Sequence, residues 1–391
     1  MEVLNFMNTH DDWEEILTQP PYCIKVNRDG AYILLKYNQL SSDFALPIVR
    51  ECRGSIFYLN DNGKYECVCR AFDKFGNYGE SYVPDMDWST VKCTEKIDGS
   101  IMKLWCYNNC WHLSTNGNIN AKEAKIGDVR KDDFDQVFCE ACIPHLVKHY
   151  GTAPNFTKWF DELNPEYTYI FELVSPYNRV VIPYEHSDIY FLGARNNITN
   201  QQFGCDTASA TMMHCEMFPK PWLYATRTLE DILKAANDLP WNEEGYVCYD
   251  KNFNRCKIKS PKYVMAHFAR NNNVITRWHL IDVILKGEMD EFIIYASDYK
   301  DQIEWIKKLM DEFIVFVDDC ALMSRNLRKL DRPEAAEVIK KFHKFVQPIM
   351  FMNLKRIAGG RAYTYDWDTY KWERALDNFI DFLERGPEND L

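Results

Sequence analysis

The sequence predicts an α+β fold: antiparallel β-sheets with helical insertions over roughly the first two thirds, followed by an all-helical C-terminal domain. Short runs rich in Val, Ile, Tyr and Phe, bounded by Gly, Asn, Asp or Pro, recur up to residue 260, and from there apolar residues recur at helical spacing instead. At 391 residues the chain exceeds what one core of ordinary size organises, so two domains are expected, 1–262 and 263–391.

The expected strands are AYILLKYNQ, GSIFYLND, YECVCRAF, IMKLWCYNN, EYTYIFELV, RVVIPYE, DIYFLGARN and EGYVCYD. Between them, Thr228 and Asp231 form a capping box ahead of ILKAANDL, and residues 132–149 read as a helix bent at Pro144. In the last third, Ile303, Ile306, Leu309, Met310, Phe313 and Val317 mark one face of a long helix, and PEAAEVIKKFHKFVQPIMFMNLKR and KWERALDNFIDFLER continue in kind.

The formal net charge of -12 argues against a passive nucleic-acid coat, which needs basic surface to release counterions, but leaves room for an enzyme with one basic cleft. No apolar run approaches the roughly eighteen residues of a membrane span, and the acidic start MEVLNFMNTHDDWEE lacks the basic and apolar segments of a signal peptide. A cytoplasmic monomer without membrane association is expected, and its 14 cysteines are expected to stay reduced. Cys139, Cys142, His145 and His149 crowd into CEACIPHLVKH, too tightly for the loop that wraps a structural zinc, and fit a helical face better.

Charged residues on or beside the β-runs carry the chemistry. CTEKIDGSIMKLW places Lys96 at a tight reversal expected from Asp98-Gly99, although K-x-D-G alone occurs by chance in about one chain in ten of this length. Arg53 lies in ECRGSIFY, Lys74 and Phe75 in AFDKFGNYGE, Glu172 inside the apolar YIFELV, and Glu244 ahead of GYVCYD. Lys257 and Lys259 stand two apart, which puts both on one strand face and Ile258 on the other. Such a set suits nucleotidyl transfer. A lysine attacking a phosphate must be partly neutral, which crowding by Lys257 and Lys259 promotes, and cations offset the charge of the transition state. Glu244 and Asp98 are the oxygen donors a divalent metal would take.

In order and spacing, EKIDGS, STNGNI, FELVSPYNR, EEGYV and KIK, with ECRG and DKF upstream, resemble the motifs of the covalent nucleotidyltransferases, in particular ATP-dependent RNA ligases of the RNA ligase 1 family known from T-even phages. The resemblance implies that residues 1–262 are an adenylyltransferase domain and that Lys96 is the nucleophile that carries AMP, with Asp98 and Gly99 as its motif partners. It implies an ATP site lined by Arg53, Lys74, Phe75, Glu95, Gly99, Asn116, Glu172, Gly245, Lys257 and Lys259. It further implies Mg2+ or Mn2+ at Glu244 and Asp98, and catalytic roles for Glu244, Lys257 and Lys259. Asn116 departs from the family, which often has lysine there. The expected reaction joins RNA 5′-phosphate and 3′-hydroxyl ends through lysyl-AMP and an RNA-adenylate. The partner would be RNA, with nicked tRNA suggested by the helical domain's Arg325, Arg328, Lys329, Lys340, Lys341 and Lys344. DNA ligases and GTP-using capping enzymes share K-x-D-G but usually carry an arginine two residues after the glycine, where this chain has Ile101. A homologue that binds RNA without chemistry is a third reading, at odds with retention of every charged motif residue.

Overall fold

The computed structural model describes residues 1–126, 133–151, 155–178, 180–225, 228–268, 276–289, 292–293, 297–327, 329–358 and 371–385. The chain divides into two compact units, one of residues 1–37 and 41–270 and one of residues 38–40 and 271–391.

The first unit holds three antiparallel sheets, as the α+β expectation requires. Sheet one runs β1 (Lys25–Asp29), β2 (Tyr32–Lys36), β3 (Arg53–Leu59), β4 (Tyr65–Cys69) in spatial order. The second sheet is built from β6 (Ser100–Tyr107), β7 (Cys110–Thr115), β8 (Tyr167–Val174), β9 (Asp188–Asn196) and β10 (Gln202–Phe203), in the order β10-β9-β8-β6-β7. The third contains β5 (Lys92–Glu95), β11 (Leu223–Tyr224), β12 (Gly245–Tyr249) and β13 (Arg255–Lys259), in the order β11-β5-β12-β13. Lys96–Gly99 therefore does not turn a hairpin. It carries the chain from one sheet to another, because β5 pairs with β11 and β12 while β6 pairs with β7 and β8.

Alternation along β6 and β8 sets the layers. Met102, Leu104, Tyr169, Phe171 and Leu173 join Trp159, Phe138 and Phe218 in the largest core. The opposite face of β6 turns Trp105 toward Leu34, Ile56 and Val68 of sheet one. In sheet three, Cys93, Tyr246, Cys248, Cys256 and Ile258 pack on Ile232 and Ala236 of the helix Leu229–Asp238. Thr228 caps that helix by accepting from the Asp231 backbone N–H.

One expected element differs. Residues 180–185 of RVVIPYE form no strand: the backbone N–H groups of Val181 and Ile182 are spent on the Asp98 carboxylate rather than on a ladder. The helix Phe134–Tyr150 continues through Pro144, which lies on the exposed side, where water can satisfy the carbonyl that loses its partner. On that helix His145 meets Asp188 at 2.7 Å and Cys142 is buried. No cluster able to hold a metal occurs among the described residues.

The second unit is helical where it is described. Its longest helix, Lys300–Leu327, buries Ile303, Ile306, Leu309, Met310, Phe313 and Val317, the stripe its sequence predicts. Trp372, Leu376 and Phe379 of the helix Trp372–Arg385 are buried too, and Phe379 meets the Phe313 ring edge-on at 5.3 Å. No described helix is long and apolar enough to cross a membrane.

Candidate active site

Lys96 follows β5, and its backbone N–H extends the ladder to β12 by donating to the Gly245 carbonyl at 2.8 Å. Its Nζ donates to Glu244 Oε2 at 2.7 Å, while Lys259 Nζ stands 3.9 Å from Glu244 Oε1. Lys96 keeps 24% of its side chain exposed; Glu244 and Lys259 are buried at 6% and 5%. A single carboxylate thus bridges two lysines that come from strands far apart in sequence. The group in direct contact with the Lys96 amine is an anion, with the Lys259 ammonium at its other oxygen. Lys257 sits on the same strand face as Lys259, and its backbone bonds residues 76 and 78.

Glu172 comes from β8, opposite Ile101 of β6. Only 8% exposed, its carboxyl is pushed up to about 8 by burial, with Glu244 and Asp98 adding to the shift and Lys96 and Arg53 opposing it. These five groups therefore surround one spot. At neutral pH Glu172 keeps its proton and can donate as well as accept, which suits a pair of sugar hydroxyls.

Gly99 is demanded by packing: a Cβ there would come within 2.4 Å of the Leu173 carbonyl oxygen. Asp98, expected as a metal ligand, is occupied otherwise. Its Oδ2 accepts from the Val181 and Ile182 backbone N–H groups at 2.8 Å each, and its Oδ1 accepts from the Tyr263 hydroxyl at 3.0 Å. Three converging donors make it an anchor that ties the segment after β8 to the lysine loop, and a poor donor to a cation.

Arg53 opens β3 and stacks on Phe75, 5.1 Å from the ring centre, and its buried Nη1 has no hydrogen-bond partner. Lys74 lies over the rings of Tyr37 and Phe44 at 5.3 and 5.0 Å, while its neighbour Phe75 packs against Arg53. Asn116, in the loop after β7, has a buried Oδ1 without a partner. Glu95 turns to the sheet edge, accepting from the Trp222 backbone N–H at 3.3 Å, and burial raises its carboxyl.

Residues that sequence reasoning passed over complete the site. Tyr263 holds Asp98. Arg195 grips Asp73, next to Lys74, through both terminal nitrogens at 2.8 and 2.9 Å, and donates to the Ala71 carbonyl at 2.7 Å. Burial works to raise Asp73, but Arg195, Arg70 and Arg255 outweigh it and hold it below the usual carboxylate range. Lys103 is fully buried on β6. Its signal in the sequence was the one that marked Glu172, a charge inside an apolar strand. In the helical unit Arg325, Lys329, Lys340, Lys341 and Lys344 are exposed, with Lys340 paired to Glu337, and Arg328 lies outside the described residues.

A family model described as RNA ligase matches residues 51–263, more than half of the chain, including Arg53, Lys96, Asp98, Glu172, Glu244 and Lys259. The chain belongs to the RNA ligase family. An RNA ligase of Rhodothermus phage RM378 is 26% identical over 347 residues, covering 73% of each chain. A protein of Autographa californica nuclear polyhedrosis virus, named as a bifunctional polynucleotide kinase/RNA ligase, is 32% identical over 312 residues, 76% of this chain. The present chain spans only 42% of that viral relative's length. Among solved structures, an archaeal ATP-dependent RNA ligase (form 2) is 14% identical with a TM-score of 0.44, over 93% of this chain and 86% of that one.

Proposed function

We propose that this chain is an ATP-dependent RNA ligase that works through lysyl-AMP. The observation that carries the reading is the Lys96–Glu244–Lys259 bridge, set beside a buried Glu172 and an unpartnered Arg53 nitrogen. The Lys96 amine attacks the α-phosphorus of ATP. The N–P bond forms as the bond to the β-phosphate breaks, and the electron pair leaves with pyrophosphate. Glu244 Oε2, at 2.7 Å, is the group within reach of the amine's proton. Lys259, Lys257 and Arg53 offset charge on the phosphates, and Glu172 addresses the ribose. AMP then passes to an RNA 5′-phosphate, and an RNA 3′-hydroxyl displaces it.

Mg2+ or Mn2+ fits with Glu244 as its protein ligand and phosphate oxygens as the others, an arrangement common for a small hard cation. It would screen the charge of the phosphates. The exposed lysines of residues 329–344 support RNA as the partner of the helical unit, with nicked tRNA the specific substrate to test.

Incubation with ATP labelled in the α-phosphate and a divalent metal should leave label on the protein, and labelled GTP should not. Lys96→Ala should abolish labelling yet still seal RNA supplied already adenylated. A wild-type chain that takes no label under these conditions refutes the reading.

A further inference from the structure

Gly54, in the second position of β3, lies between the Asn116 backbone and the end of the Lys103 side chain. Its φ of +77° belongs to the left-handed region, and a Cβ built there would lie 2.9 Å from Lys103 Nζ and 2.8 Å from the Asn116 Cα. Lys103 Nζ donates to the Gly54 carbonyl oxygen. Lys36 Nζ approaches the adjoining loop, 4.0 Å from a Cβ placed on Gly117. Burial lowers the Lys103 ammonium, the Arg53 and Lys36 charges add to that shift, and the Cys69 and Cys67 thiols oppose it. None of these three cations forms an ion pair among the described residues.

Burying an ammonium group costs several kcal/mol unless an anion or a full set of acceptors compensates it. Here one carbonyl does so, and two further buried polar atoms on residues adjoining Gly54, Arg53 Nη1 and Asn116 Oδ1, have no hydrogen-bond partner among the described residues. An unbalanced positive pocket with orphaned polar groups is built for an anion that arrives from outside. Register explains how the charge gets there. Lys103 faces Ser114 across the β6–β7 ladder, two residues before Asn116, so a long side chain on β6 reaches the place that residue 116 also addresses.

Resting on the ligase reading, we propose that Lys103 is a positioning residue of a phosphoryl-binding subsite around Gly54, supplying from β6 the positive charge this chain does not carry at position 116. It acts through Gly54, whose carbonyl it pins, and so through the aim of Arg53, while its charge adds to the field felt by a phosphate. The phosphate is that of the nucleotide or of the RNA end.

Pyrophosphate binding, measured by calorimetry on the full chain, tests this without requiring any reaction. Lys103→Met should weaken binding about tenfold, the usual effect of losing one charge-assisted contact, with Arg53 still present. Adding Asn116→Lys to Lys103→Met should restore most of the loss, which no packing role of Lys103 would allow. Should Lys103→Met fail to fold, Asn116→Asp decides instead: a carboxylate set among these cations should weaken pyrophosphate binding about tenfold while the melting temperature holds or rises. The KM for ATP in self-labelling and the KM for 5′-phosphorylated RNA in AMP transfer then tell which phosphate uses the subsite. Binding by Lys103→Met within about twofold of wild type, or a folded double variant with no recovery, overturns the inference. A wild-type chain that binds pyrophosphate in this way but takes no label from ATP would instead refute the ligase reading alone.

Discussion

At the scale of single residues, the chemistry rests on one carboxylate between two amines. Glu244→Gln would keep its shape and lose its charge. We expect self-labelling by ATP to fall by about 100-fold, because a group in contact with the nucleophile has lost the ability to take its proton, and the melting temperature to fall as well, because a buried carboxylate between two ammonium groups has lost its charge. Labelling rates and a thermal melt check both halves. Glu172 makes a pH prediction with a definite sign. In the unfolded chain it ionises near its ordinary value of 4.5, whereas in the fold it holds its proton to about 8. Between those values the unfolded state binds fewer protons, so Glu172 makes stability fall as pH rises from about 4.5 to 8, with no further loss above. Glu172→Gln should lack this slope. Urea unfolding of both proteins at pH 5 and pH 8 should show the variant gaining on wild type at the higher pH, and an equal difference at both would contradict the assignment.

At the scale of elements, the site depends on connections between sheets. Asp98 joins the lysine loop to residues 181 and 182, and Arg195 of β9 joins sheet two to the segment bearing Asp73, Lys74 and Phe75. Arg195 is almost fully buried, while the Asp73 side chain keeps some contact with solvent. Arg195→Met should therefore cost about 2–3 kcal/mol in urea unfolding, below the figure for a wholly buried pair. It should also raise the KM for ATP more than it lowers kcat, since it frees the Lys74 segment and leaves Lys96 and Glu244 in place. A fall in kcat alone would place Arg195 elsewhere in the mechanism.

On the scale of the whole molecule, the motif residues lie in the first unit and the exposed basic residues named above in the second. A chain ending at residue 270 should keep self-labelling within about threefold of the full chain and lose any preference for nicked tRNA over unstructured RNA of equal length. Paired sealing assays on the two substrates measure that. The sequence by itself determined the class of fold, through period-2 runs giving way to period-3.6 stripes, and it marked Lys96, Glu172, Glu244 and Lys259 because charge on or beside an apolar strand is expensive without a task. The same signal stood at Lys103 and went unread, since one lysine in a strand looks like any other until its burial is known. Only the tertiary structure decided that Lys96 bridges sheets rather than turning a hairpin, that Asp98 is an anchor, and that Arg53 stacks on Phe75. Local pattern reports which face of a strand a side chain takes. Partners that are dozens of residues or more away in sequence are chosen by which sheets pack together, and that choice leaves no local trace.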